Sequence, residues 1–129
     1  MANTFLRKTS KSVGIAASDS TWWQVGANSA GATQTGRYEV GANTTTTVIG
    51  FSITNVTSSS VDVDVAIGTT MANVTTDVAL ASSVPIPSGS TLVLFGGDQK
   101  LNMVTGDLIK IKSSANNSVD VCMSVLEIT

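Results

Sequence analysis

The chain has 129 residues, enough for one domain with its own core, and it carries a formal net charge of −2, no histidine and a single cysteine, Cys122. Hydrophobic residues reach 42% and charged ones only 12%, so Ser and Thr stand where charge usually does, a composition suited to extended backbone and to surfaces that meet protein. Several classes are excluded or disfavoured: there is no Ser–His or Cys–His nucleophile pair, no Cys/His zinc site and no internal disulfide. The seven Lys and Arg give the main body no phosphate-binding patch, and no run of about 18 apolar residues exists to cross a membrane as a helix.

Residues 1–20 lack a long apolar run and predict an N-terminal arm or edge segment ahead of a single β domain over 21–129. There is no apolar h-region, so no signal peptide is expected. Phe5 and Leu6 adjoin the only dense basic cluster, Arg7, Lys8 and Lys11. A free segment of this kind buries too little apolar surface to offset its chain entropy. It is expected to dock on a neighbouring subunit, Phe5 and Leu6 supplying area and Arg7 and Lys8 pairing with acids. The alternative is an edge strand of the chain's own sandwich.

Residues 21–25 (TWWQV) and 37–40 (RYEV) each predict a short strand, with a Gly-, Ala- and Ser-rich loop over 26–36 between them. Adjacent strand residues face opposite ways. One of Trp22 and Trp23 should therefore enter the core while the other is exposed or meets a partner. Together with Tyr38 they are candidate interface residues; intrachain cover of the sandwich and contact with a glycan are the alternatives.

From residue 45 onward the strand signals are regular. Thr45–Asn55 (TTTVIGFSITN) places Ile49, Phe51 and Ile53 on one side. Val61, Val63, Val65 and Ile67 alternate with Asp62, Asp64 and Ala66. Thr91–Phe95 (TLVLF) is apolar on both faces and predicts a covered strand. Residues 108–112 (LIKIK) put Ile109 and Ile111 inward. Val119–Ile128 predicts a long final strand with Val119, Val121, Met123 and Val125 on one face. Turn signals fall at 57–60, 87–90, 96–98, 105–107 and 114–117, and Pro85 and Pro87 confine Ile86 to an edge or crossover. The fold class that follows is all-β, an antiparallel β-sandwich of jelly-roll or immunoglobulin-like type with about seven to nine strands. Phe51, Ile53, Val63, Val65, Val93, Val121 and Met123 should share its core.

Polar candidates read mostly as surface. Asp62, Asp64 and Asp120 could gather a calcium ion but are expected on a solvated face. Asp98 and Asp107 each follow a glycine in a turn, where Asp usually bonds its own backbone; a catalytic pair is the less favoured reading. The sequons at Asn43, Asn55, Asn73 and Asn116-Asn117-Ser118 are expected to be accidents of a Thr-rich chain. Cys122 is expected to be a buried structural thiol. No catalytic residue, cofactor or metal is assigned.

The opening MANTFLRKTSKSVG, the strand TTTVIGFSITN, the run VPIPSGSTLVLFGGDQKLNMVTGDLIKIKSS and the ending SVDVCMSVLEIT resemble small virion structural proteins of tailed phages, notably those of aquatic bacteria including cyanobacteria. The resemblance is strongest over 45–129 and returns in the first fourteen residues, while 15–42 is longer than the usual pattern. It implies a β-sandwich subunit without enzymatic activity, made in the host cytoplasm and built into the particle at neck, tail or capsid. Its partners would be other virion proteins and copies of itself, with no nucleic acid and no membrane. The alternative reading is a glycan-binding module of a tail fibre or baseplate.

Overall fold

Runs of β-branched residues alternating with small polar ones commit the chain to strands. A computed structural model describes residues 3–14, 22–26, 38–71, 74–96 and 100–129, with side chains described for all of these but 69–71 and 74–76. Among them are nine strands and no helix: β1 (Asn3–Val13), β2 (Trp23–Gln24), β3 (Thr45–Asn55), β4 (Val61–Met71), β5 (Val74–Ile86), β6 (Thr91–Phe95), β7 (Leu101–Met103), β8 (Leu108–Ser113) and β9 (Val119–Ile128). One sheet runs β1-β9-β3-β6, with β7 also pairing β3; the other runs β2-β8-β4-β5. Every pairing is antiparallel. The chain is thus an all-β, antiparallel sandwich.

The inner faces meet in one core. Val48, Phe51 and Ile53 of β3 lie beside Val121, Met123 and Val125 of β9. Facing them are Val63 and Val65 of β4 and Ile109 and Ile111 of β8, all essentially inaccessible to water. Phe51 meets Phe95 edge to face, with ring centroids 6.3 Å apart, a favoured arrangement for aromatic pairs.

Two core expectations are corrected. In β3 the inward residue before Phe51 is Val48, and Ile49 is only half-buried. The register with β9 jumps from Val48↔Val125 to Gly50↔Ser124, so a bulge at Ile49 reverses the alternation at that point. Val93 is 63% exposed. The strand that holds it, β6, lies on the outer side of β3, where Leu92 and Leu94 pack on the core and Val93 faces away.

The residues expected to form a docking arm are the edge strand of the first sheet. Asn3 to Ser10 pair with Ile128 to Val121 of β9 without interruption. Val13 still pairs with β9, opposite Val119, its carbonyl accepting the Ser118 N–H at 3.0 Å, and Gly14 then crosses to the second sheet, its carbonyl accepting the Ser113 N–H of β8 at 3.1 Å. Glycine suits this close approach, because a Cβ at position 14 would stand 3.1 Å from the Asn116 Cα and the backbone there would have to shift by a few tenths of an ångström.

Both long edge strands carry the same irregularity. In β1, Lys11 and Ser12 oppose the single residue Asp120; in β5, Ser82 and Ser83 oppose the single residue Asp64. The second serine of each pair has positive φ, 58° for Ser12 and 50° for Ser83. Its N–H is taken by the opposing aspartate Oδ1, at 2.8 Å from Ser12 and 2.7 Å from Ser83. A non-glycine residue in the left-handed region carries a steric cost, and a charge-assisted hydrogen bond offsets it. Asp64 and Asp120 therefore hold bulges in two different sheets, and Asp62, Asp64 and Asp120 do not converge on an ion.

Phe51→Ala should lower the unfolding free energy by about 3–5 kcal/mol, the lost transfer energy plus a cavity. Val93→Ala should change it by less than about 0.5 kcal/mol, as exposed positions do. Chemical denaturation of the two variants side by side checks both, and equal losses would place Val93 in the core after all.

Candidate interaction surface

The seven residues singled out as interface candidates divide by strand parity. On β1, Phe5 and Arg7 point to the outer face and Leu6 and Lys8 to the inner one, since Ser10 and Val13 are buried. Phe5 is 72% exposed and stands opposite Leu126 of β9. Leu6 is half-buried and packs against the core, so it contributes to the fold. Arg7 is exposed and makes no ion pair among the described residues. The Lys8 ammonium lies 5.9 Å from the centroid of the Tyr38 ring.

Tyr38 is buried and anchors the chain where it enters β3. Its N–H donates to the Val25 carbonyl at 2.9 Å. Its hydroxyl donates to Glu127 Oε2 at 2.6 Å, near the end of β9. The phenol has one proton to give, so the Thr46 hydroxyl, 2.7 Å away, is the donor to the Tyr38 oxygen. Burial first, then the Glu127 hydrogen bond and charge, push the phenol from 10.0 up to about 12. Tyr38 is therefore a structural tie within its own chain.

Neither tryptophan is a free platform. Trp23 pairs with Ile111 and packs on the core, half-buried. Trp22 is also half-buried, and the Lys112 ammonium sits 4.5 Å from its ring centroid. Both indole N–H groups are buried and find no acceptor among the described residues. The sequence expects one tryptophan to be exposed or to meet a partner, with intrachain cover as an alternative; Trp22 is half-buried and has cover from Lys112 of its own chain. The strand expected over 37–40 reduces to one bridge, Glu39 to Leu108. Arg37 and the 27–36 part of the expected loop lie outside the described residues.

The other polar candidates have specific tasks. Asp107 is buried, and its Oδ2 accepts the Val104 N–H at 3.0 Å, closing the turn at Gly106. Asp98 and Asn73 lie outside the described residues. Asn55 is buried, and its amide donates to the Ser59 and Ile86 carbonyls at 2.8 and 2.9 Å. Its side-chain oxygen accepts the Thr57 N–H and hydroxyl at 2.9 and 2.7 Å. Both ends of the amide are committed, so this sequon cannot carry a glycan. Cys122 is exposed, correcting the buried thiol. With Val121 and Met123 inward, the residue between them must face out. It opens onto a groove of about 330 Å³ on the outer face, with Thr9, Lys11, Ser52, Thr54 and Asp120 around it.

No protein-family model matches the chain, and no curated protein is similar to it.

The outer face of the first sheet thus carries apolar Phe5 and Val93 among serines and threonines, bordered by a strand with three cations. This face was legible only in part: the cluster Phe5, Arg7, Lys8 stood out in the sequence, while Val93, Cys122 and the groove depend on strand order and parity.

Two predictions follow from these contacts. Asn55→Ala should destabilise the chain by about 2–3 kcal/mol, because it strands buried carbonyls; denaturant unfolding measures it. Tyr38 is the only tyrosine, so phenolate absorbance reports it alone. The phenol's pKa is higher folded, about 12, than unfolded, 10.0. Its contribution is therefore complete below about pH 10 and is lost as pH rises toward 12. Alkaline unfolding should be shallower in Tyr38→Phe, and a folded-state midpoint at the unfolded value would contradict the contacts described.

Proposed function

We propose that this chain is a non-enzymatic structural subunit of a tailed-phage particle that acts by surface contact with other virion proteins. The observation that carries the reading is the outer face of the first sheet. A phenylalanine 72% exposed on one edge strand, with Val93 63% exposed on the strand at the opposite edge of the same sheet, offers the aromatic and aliphatic area that anchors protein interfaces. The sequence resemblance over 45–129 and the first fourteen residues supports the same reading. The absence of histidine removes the commonest general base. At least five of the carboxylates already bond neighbours: Asp64 and Asp120 at bulges, Asp107 in its turn, Glu127 on Tyr38 and Asp77 on Lys110. The glycan-binding alternative gains nothing from Trp22, whose ring is covered by Lys112.

Mass spectrometry of purified particles from the phage that encodes the chain tests this directly. The chain should be present at a stoichiometry set either by the particle's rotational symmetry, for a neck or baseplate position, or by its capsid or tube lattice. Its absence from intact particles overturns the proposal. The purified chain should also release no product from peptidoglycan or polysaccharide, and turnover abolished by Asp107→Asn would overturn the non-enzymatic part.

A further inference from the structure

We propose that the free edge of β1 receives an extended, acid-bearing segment of a partner protein, which adds to the first sheet as a further strand. This rests on the reading of the chain as an assembly subunit and names what such a subunit would hold.

Three features single out this edge. First, β1 is paired on one side only among the described residues, and its register with β9 is unbroken from Asn3 to Ser10. Unpaired backbone donors and acceptors on a regular strand are a template for strand addition. The other edges are poorer templates. The outer strand β2 has two residues, while β6 and β7 have five and three; β5 carries Pro85 and the Ser83 bulge.

Second, the charge is one-sided. Strand β1 holds Arg7, Lys8 and Lys11 and no acid. The rest of the chain has four cations against nine acids, a formal −5. An acidic segment is repelled by the body and drawn to this strand, which favours encounter there over other surfaces. The cations serve both faces of an incoming strand: Arg7 points outward, and Lys8 lies on the inner side at the rim beside Tyr38. Lys11 remains 79% exposed despite its 3.7 Å approach to Asp120.

Third, the same cations exclude the commonest competing occupant. A second copy pairing through its own β1 would set three cations against three, and like charges across a strand pair destabilise it. Phe5, opposite Leu126 on the outer face, adds apolar area that a β-branched residue on the incoming strand would cover.

The test uses the full chain and two labelled peptides, TEVTVEVT and TKVTVKVT, in fluorescence anisotropy at low and high salt. The glutamate peptide should bind and the lysine peptide should not. Affinity should fall as salt rises and drop by about tenfold or more in Arg7→Glu; because Arg7 is exposed, the variant should keep the wild-type melting temperature. Amides of residues 3–10 should gain hydrogen-exchange protection when the glutamate peptide is bound. Equal binding of both peptides, binding of neither, protection elsewhere, or self-association of the chain through β1 would each overturn the proposal. The two readings fail separately. A chain found in particles that binds neither peptide loses the edge site and keeps its structural role; a chain that binds as described but is missing from particles does the reverse.

Discussion

The pairing of β3 with β9 is the constraint on which the rest of this sandwich depends. Ten residue pairs join these strands, from Thr45↔Ile128 to Asn55↔Val119. They fix Phe51 and Ile53 beside Met123 and Val121, the apolar surface against which the second sheet closes. Strand β1 is built on the far side of β9, and β6 and β7 on the far side of β3. A slip of one residue in this ladder would turn Met123 and Val125 to solvent and bring Cys122 and Ser124 inside. Such a slip is opposed by the bulge at Ile49, by the Tyr38 hydroxyl that ties Thr46 to Glu127 at one end, and by the Asn55 amide at the other.

Where strands alternate cleanly, the sequence discloses their faces. Val61, Val63, Val65 and Ile67 are inward, as are Ile109 and Ile111, and the odd-numbered valines and Met123 of β9. The alternation fails as a guide where a bulge inserts a residue. Ile49 and Phe51 share parity in the sequence, yet Val48 takes the inward place before the bulge. Gly50 within a strand is the available local sign of that break. Val93 and Cys122 fail for different reasons. An apolar run on an edge strand cannot be told from one on a central strand without strand order, and the usual burial of a lone cysteine yields to strand parity where Val121 and Met123 on either side hold the inward places.

Strand β1 is the least legible element. NTFLRKTSKSV has three apolar residues in eleven and no alternating pattern. Its extended form comes from the partner strand: an exposed edge needs only one paired side and a few inward contacts, here Leu6, Ser10 and Val13. Buried Ser10 accepts the Gly26 N–H at 2.9 Å, joining the strand to the turn after β2. Local composition thus described a charged segment, and tertiary pairing decided that it would be a strand.

The twin bulges connect fold to surface. Two aspartates that looked like solvated charge, Asp64 and Asp120, each accept the N–H of a left-handed serine on the neighbouring edge strand. A bulge interrupts the regular spacing of edge donors and acceptors, a common defence against indiscriminate strand pairing. In β5 the interruption lies beside Pro85 and spoils that end of the edge. In β1 it is placed at Lys11 and Ser12, where the strand turns toward the second sheet, and leaves Asn3 to Ser10 regular. The same device therefore breaks one edge while leaving the other regular over most of its length and, among the described residues, unpaired. On that length, three cations on one strand set charge rather than shape against self-pairing, which is why the proposed occupant is an acidic strand.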